Sequence, residues 1–211
     1  MADNGIGIKV CGMREPDNIR QLVNLEPDFI GFILFPDSKR YVGDDFRLTT
    51  DIPPAIHRVG VFVNALMDEV IHWVNRLELN FVQLHGTESA EYCRELSGMK
   101  IPVIKAFGVD DAFDFSSLSA YSDCCEFFLF DSKSPLHGGS GLQFNRDLLN
   151  LYALNTPFFL GGGIGPEDIS DIRLIKNRLP LAAVDINSRF EISPGIKNIE
   201  LLRKFINAIR K

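Results

Sequence analysis

Two residues in this chain have the chemistry to move protons and stand where a strand would deliver them to a rim. Asp131 closes the apolar run Phe127-Phe128-Leu129-Phe130, and Gly138-Gly139-Ser140-Gly141 follows a few residues on. A carboxyl delivered by an apolar strand is partly desolvated, which raises its pKa and lets it donate a proton near neutrality. Cys11 closes a second apolar run, over residues 6–11. A thiolate there could remove a carbon-bound proton, if positive charge or backbone N–H groups nearby favour ionisation. Each residue has an ordinary alternative. Asp131 could cap a helix or join a salt bridge, and Cys11 could be a small buried hydrophobe.

A third feature points to an anion. Gly139, Ser140 and Gly141 in one segment, and Gly161-Gly162-Gly163 in another, let backbone N–H groups approach a ligand without Cβ obstruction. Gly165-Pro166-Glu167-Asp168 reads as a helix start, whose positive end would face the same place. Arg40, in the polar loop Pro36-Asp37-Ser38-Lys39-Arg40-Tyr41, could grip a carboxylate with two parallel N–H groups or lie in solvent. Gln83, His85 and Gly86 follow a fourth apolar run, and Asp185-Ile186-Asn187-Ser188 closes the last. His85 could simply bond to backbone near a rim.

These positions need a scaffold that brings strand ends together. Apolar runs over residues 6–11, 29–34, 58–63, 81–84, 103–107, 127–130, 158–160 and 182–186 read as strands. They are continuous rather than alternating, the habit of parallel strands covered on both faces. Helical signals lie between them. Met67, Val70, Ile71 and Val74 form one stripe, and Ile199, Leu202, Ile206 and Ile209 another. Thr87 is a candidate cap for the helix through Tyr92 and Leu96, and Asp44 to Thr50 reads as the weakest helix, a single turn. Eight such units predict a (β/α)₈ TIM barrel, α/β in class and one domain over residues 1–211, with its site at the C-terminal ends of the strands. An open doubly wound sheet is the alternative. Cys11-Gly12-Met13-Arg14 lacks the glycine fingerprint that a dinucleotide fold carries after its first strand.

Bulk composition narrows the function. The chain has 211 residues, of which 45% are hydrophobic, enough for a substantial core. A net charge of -6 with no dense Lys/Arg run argues against nucleic acid as a partner. No apolar run approaches the ~20 residues of a membrane span. The N-terminus has no secretory pattern, and the four cysteines show no metal-ligand spacing, so a reducing cytoplasm is expected and no metal is. The expected partner is a small-molecule substrate. Monomer and homodimer are both compatible with the sequence.

Taken in order, the segments resemble phosphoribosylanthranilate isomerase. They are Lys9-Val10-Cys11-Gly12, Gly31-Phe32 with Ser38-Lys39-Arg40-Tyr41, Arg58 to Asn64, Val82-Gln83-Leu84-His85-Gly86, Phe130-Asp131-Ser132-Lys133, Gly138 to Gly141, Gly161-Gly162-Gly163, Val184-Asp185 and Ser193-Pro194-Gly195-Ile196-Lys197. The resemblance implies a (β/α)₈ barrel and an Amadori rearrangement in tryptophan biosynthesis. It implies Asp131 as the acid that opens the furanose ring and Cys11 as the base that takes the C2 proton. Arg40 would hold the anthranilate carboxylate, with Gln83, His85 and Asp185 also at the substrate. The phosphate would lie against Gly139, Ser140, Gly141, Gly162, Gly163, Asn187 and Ser188. No cofactor is implied, because the substrate's own iminium stabilises the developing carbanion.

Two segments depart from the family pattern. The loop after the eighth strand usually reads Ser-Ser-Gly-Val-Glu and here reads Asn187-Ser188-Arg189-Phe190-Glu191, so that Arg189 either reaches the phosphate or points to solvent. Met13 and Arg14 follow Cys11-Gly12, where Ile or Leu and then Thr are common. Two further readings compete. One is a sugar-phosphate isomerase of histidine biosynthesis, which would use an aspartate at the first strand end and a substrate with two phosphates. The other is a barrel that binds phosphate ligands without turnover.

Overall fold

The computed structural model describes residues 5–133 and 143–211. Eight parallel strands pair in chain order and close on themselves. They are β1 (Gly7–Cys11), β2 (Phe29–Ile33), β3 (His57–Phe62), β4 (Phe81–Leu84), β5 (Val103–Val109), β6 (Phe127–Ser132), β7 (Phe158–Leu160) and β8 (Leu181–Ile186). Closure runs through β1, where Lys9 is in register with Phe29 of β2 on one side and Asp185 of β8 on the other. The open sheet is thereby excluded.

Strand alternation divides the core in two. Outward residues such as Ile8, Val10, Ile30 and Phe128 join the apolar faces of the helices α1 (Pro16–Val23), α2 (Met67–Leu77), α3 (Ala90–Gly98), α4 (Ile169–Lys176) and α5 (Ile199–Ile209). Inward residues form a separate cluster that includes Phe29, Phe127 and Phe159, with Phe81 packed against it. These four rings come from the N-terminal ends of their strands and meet at centroid distances of 4.9 to 5.8 Å. They plug the bottom of the barrel, each such buried ring contributing roughly 1.5–3 kcal/mol. Above the plug the inward positions turn polar.

Several local features differ from the sequence expectation. Residues 44–50 form no helix, and the connection from β2 to β3 consists of turns and irregular backbone. The crossovers after β5 and β6 carry 3₁₀ helices, Phe115–Tyr121 and Arg146–Leu151. Ser89, not Thr87, caps α3 by accepting from Tyr92 N, while Thr87 bonds to Asn64 Oδ1. β6 continues through Asp131 to Ser132, because the longer β5 pairs Gly108 with Asp131 and Val109 with Ser132. A short antiparallel hairpin, β9 (Glu191–Ser193) and β10 (Ile196–Lys197), follows β8 and was not expected. Its turn uses Gly195 at φ +86°, a conformation that glycine adopts without steric cost. Among the described residues, no helix is long and apolar enough to cross a membrane.

Candidate active site

A spacing of two along each strand puts chemistry on the inner face near the C-terminal rim. Lys9 and Cys11 occupy such positions on β1, and Asp131 does so on β6. Gln83 on β4 is followed by His85, and Asp185 on β8 by Asn187.

Cys11 is buried, and Gly31 beside it leaves room for the sulfur: a Cβ on Gly31 would come 2.9 Å from Sγ. Burial pushes the thiol up from its ordinary value, and the positive charges of Lys9 and Lys197 pull against that rise. Lys9 is wholly buried, and its Nζ lies 2.8 Å from Asp185 Oδ1. Burial disfavours its charge, yet Asp185 and Cys11 outweigh that and hold the ammonium above its ordinary value. Asp185 is itself pushed up by burial, with Lys9 opposing. A buried ammonium needs such a partner, since desolvation otherwise costs several kcal/mol.

Across the mouth, His85 Nε2 lies 3.4 Å from Asp131 Oδ2, and both side chains are partly exposed. Gln83 Nε2 lies 3.1 Å from His85 Nδ1. If the amide nitrogen donates there, the ring proton sits on Nε2 and faces the carboxylate. Ser132 N donates to the other oxygen of Asp131 at 2.7 Å, so backbone fixes the carboxyl plane. Gln83 Oε1 is buried and has no hydrogen-bond partner among the described residues.

Arg40, Asn187 and Gly12 converge beside Cys11. Gly12 has φ +78°, and a Cβ there would come 2.8 Å from Arg40 Cδ and 3.0 Å from Asn187 Oδ1. The Nε and Nη2 edge of Arg40 is engaged by Glu191, at 2.9 Å to Oε1 and 2.7 Å to Oε2. One bidentate edge of the guanidinium is therefore taken by the protein, and its Nη1 end is the part not engaged by Glu191. Lys197, fully buried, donates to Glu191 Oε1 and to Asn187 Oδ1, each at 2.7 Å. Burial would raise Glu191, but Arg40 and Lys197 hold its carboxyl below the ordinary range.

Of the expected phosphate residues, Gly139, Ser140 and Gly141 lie outside the described residues. Gly162 and Gly163 adopt φ of +75° and +65°, and a Cβ on Gly162 would meet Ser132 Oγ at 2.6 Å. Asn187 and Ser188 follow β8, with Ser188 opening the 3₁₀ turn Ser188–Phe190. The helix start at Pro166 is a 3₁₀ turn preceding α4, and Asp168 Oδ2 accepts from Gly165 N at 2.6 Å. The N–H of the residue before Pro166 is thus already satisfied.

The arrangement is a closed barrel with a thiol, a carboxyl, an arginine and a glycine-lined loop at one rim. Residues 8–208 match the family described as N-(5'-phosphoribosyl)anthranilate (PRA) isomerase. The chain belongs to this family. The N-(5'-phosphoribosyl)anthranilate isomerase of Phocaeicola vulgatus is 39% identical over 204 residues, covering 97% of this chain and 98% of the relative. The crystal structure of phosphoribosyl anthranilate isomerase from Thermotoga maritima is 33% identical, with a TM-score of 0.84 over 97% of this chain and 98% of that one. A further structure, 30% identical with a TM-score of 0.80 over 97% and 98% of the two chains, is the isomerase in complex with reduced 1-(o-carboxyphenylamino)-1-deoxyribulose 5-phosphate.

Three polar residues escaped the sequence reading of the site: Lys9, Glu191 and Lys197. Lys9 carried a signal, as a cation inside an apolar strand, two residues from Cys11. Glu191 and Lys197 meet only because the hairpin folds back over the rim. The Pro194-Gly195 turn was the one local hint of that fold.

Proposed function

We propose that Asp131 and Cys11 are the acid and base of the Amadori rearrangement of N-(5-phosphoribosyl)anthranilate to 1-(2-carboxyphenylamino)-1-deoxyribulose 5-phosphate, a step of tryptophan biosynthesis. Asp131 protonates the furanose ring oxygen. The bond from that oxygen to C1 breaks, and the anilinic nitrogen lone pair forms the iminium. Cys11, as thiolate, takes the C2 proton, and the electron pair moves to give the enolamine. Tautomerisation yields the ketone, and the protons given and taken balance.

The other residues bind and position. Arg40 meets the anthranilate carboxylate through Nη1 while Glu191 fixes its plane. Gly162, Gly163, Asn187 and Ser188 take the phosphate, together with Gly139, Ser140 and Gly141. His85 and Gln83 orient Asp131 and reach the ribosyl part of the substrate. Asp185 acts through Lys9, which favours the thiolate of Cys11. The enzyme acts in the cytoplasm, as a monomer or a homodimer.

The observation that carries this reading is the placement of Cys11 and Asp131 on inward-facing positions at the C-terminal ends of β1 and β6, in a chain of this family. That end is where TIM barrels place their chemistry. The test is turnover of the fluorescent substrate by wild type, Cys11→Ala and Asp131→Asn. General acid–base catalysis contributes about 10²- to 10⁴-fold. Losses of that size in kcat, in folded variants, are expected; wild-type rates in either variant reject its role. Absence of turnover in the wild type would favour the phosphate-binding barrel.

A further inference from the structure

The loop after β7 and the loop after β8 face each other, and one side chain spans them. Arg189 lies in the 3₁₀ turn after β8. Its Nη2 is 2.5 Å from Glu167 Oε1, and its Nη1 donates to Gly163 O at 3.3 Å. The pair lies flat on Gly165: a Cβ there would come 2.8 Å from Arg189 Cζ and 2.6 Å from Glu167 Oε2. Any larger residue at position 165 would lift the guanidinium away.

Both ends of this bridge are anchored. Phe190, next to Arg189, is fully buried, with its ring 4.9 Å from that of Phe205. Asn187, two residues before Arg189, is held by Lys197 at 2.7 Å. On the β7 side, Asp168 accepts from Gly165 N and is bound in turn by Arg146 at 3.1 Å. The free element between these anchors is the pair of left-handed residues Gly162 and Gly163. Successive glycines of that kind aim backbone N–H groups into one concavity, and their aim depends on where the carbonyls are held. Arg189 Nη1 and Gln143 Nε2, the latter at 3.1 Å, hold the carbonyl of Gly163.

We propose that Arg189 is a positioning residue for the substrate phosphate. With Glu167 it clamps the two phosphate loops together and fixes the aim of the Gly162 and Gly163 N–H groups. Glu167 offsets the charge of Arg189, so the clamp acts through geometry rather than through added positive charge. This rests on the phosphate assignment above and deepens it. The pair is largely solvated, and exposed pairs add little to global stability, so melting should hardly change when it is removed.

The experiment measures kcat, KM and the inhibition constants of inorganic phosphate and of anthranilate for wild type, Arg189→Ala, Glu167→Gln and the double variant, alongside their melting curves. Each single change should raise KM and weaken phosphate inhibition by roughly tenfold, the value of one charge-assisted hydrogen bond. The double variant should be no worse than either single one, since both break one clamp. Anthranilate inhibition and kcat should stay close to wild type. Unchanged KM in Arg189→Ala, with turnover intact, overturns the clamp but leaves the isomerase reading standing. Tighter phosphate binding in Glu167→Gln also overturns it, in favour of a direct charge contact from Arg189. No turnover in any protein, wild type included, would fail the underlying function instead.

Discussion

Lys9 Nζ stands 2.8 Å from Asp185 Oδ1, with the two residues in register on β1 and β8, and Cys11 follows Lys9 on the same face. Burial raises the Cys11 thiol, while Lys9 and Lys197 oppose that rise. The proposed base must be ionised to act, so kcat/KM should climb as pH rises through the thiol's raised pKa. Lys9→Met removes one of the opposing charges and should move that limb to still higher pH. Each unit of movement corresponds to roughly tenfold less activity on the acid side of the limb. The double variant Lys9→Met/Asp185→Asn removes the orphaned carboxylate and should show the same direction. pH–rate profiles decide it, and coincident limbs in wild type and both variants would exclude Lys9 from tuning Cys11.

Glu191 is shared by Arg40 and Lys197, both at 2.7 Å. Glu191→Ala leaves a wholly buried lysine without its counter-charge, which typically costs about 3–5 kcal/mol. The paired change Glu191→Leu/Lys197→Met removes both charges and should lose much less than the two single changes summed. Urea denaturation of wild type, Glu191→Ala, Glu191→Leu, Lys197→Met and the double variant measures this. Arg40 also loses its anchor in Glu191→Ala, so KM should rise alongside the loss of stability.

The barrel was legible because parallel strands buried on both faces leave continuous apolar runs, and all eight lay close to their observed places. The rim positions of Asp131 and Cys11 were legible for a related reason: each stands at the end of such a run. What remained hidden depends on tertiary closure. The ion pair of Arg40 with Glu191 spans the loop after β2 and the hairpin after β8, and no local periodicity encodes such a contact. The occupied N–H at Gly165 was hidden likewise. Pro166, Glu167 and Asp168 suit a helix start, but the sequence does not say that Asp168 turns back to cap it. Thr87 lost the cap to Ser89 because Asn64, in the neighbouring loop, binds it instead.

His85 Nε2 faces Asp131 Oδ2 at 3.4 Å, long for a hydrogen bond but close enough to orient the carboxyl. Gln83 holds the opposite ring nitrogen. His85→Ala should therefore lower kcat by roughly tenfold, less than Asp131→Asn, because it removes an orienting contact rather than the proposed proton donor. Gln83→Leu should produce a smaller loss in the same direction, acting through His85. In a His85→Ala background, Gln83→Leu should then add nothing further. Additive losses would show that the two side chains act independently.

Asp168 supports the loop after β7 by accepting from Gly165 N, and its ionisation should appear in the stability of the whole protein. Burial would raise this carboxyl, but Gly165 N, Arg146 and Gln143 all donate to it and together hold it below the ordinary aspartate range. A carboxyl depressed in the folded state stabilises most above its unfolded value, about 3.9. That contribution is lost as pH falls through the lower folded value. Asp168→Asn should therefore destabilise at neutral pH, by about 3 kcal/mol if Arg146 is left without its main counter-charge. The gap to wild type should close progressively below about pH 4, where the wild-type carboxyl itself takes up a proton. Denaturant unfolding across pH 2.5 to 7, roughly the window set by these values, measures both. A gap that stays constant with pH would mean that Asp168 acts through packing alone, and that the loop does not depend on its charge.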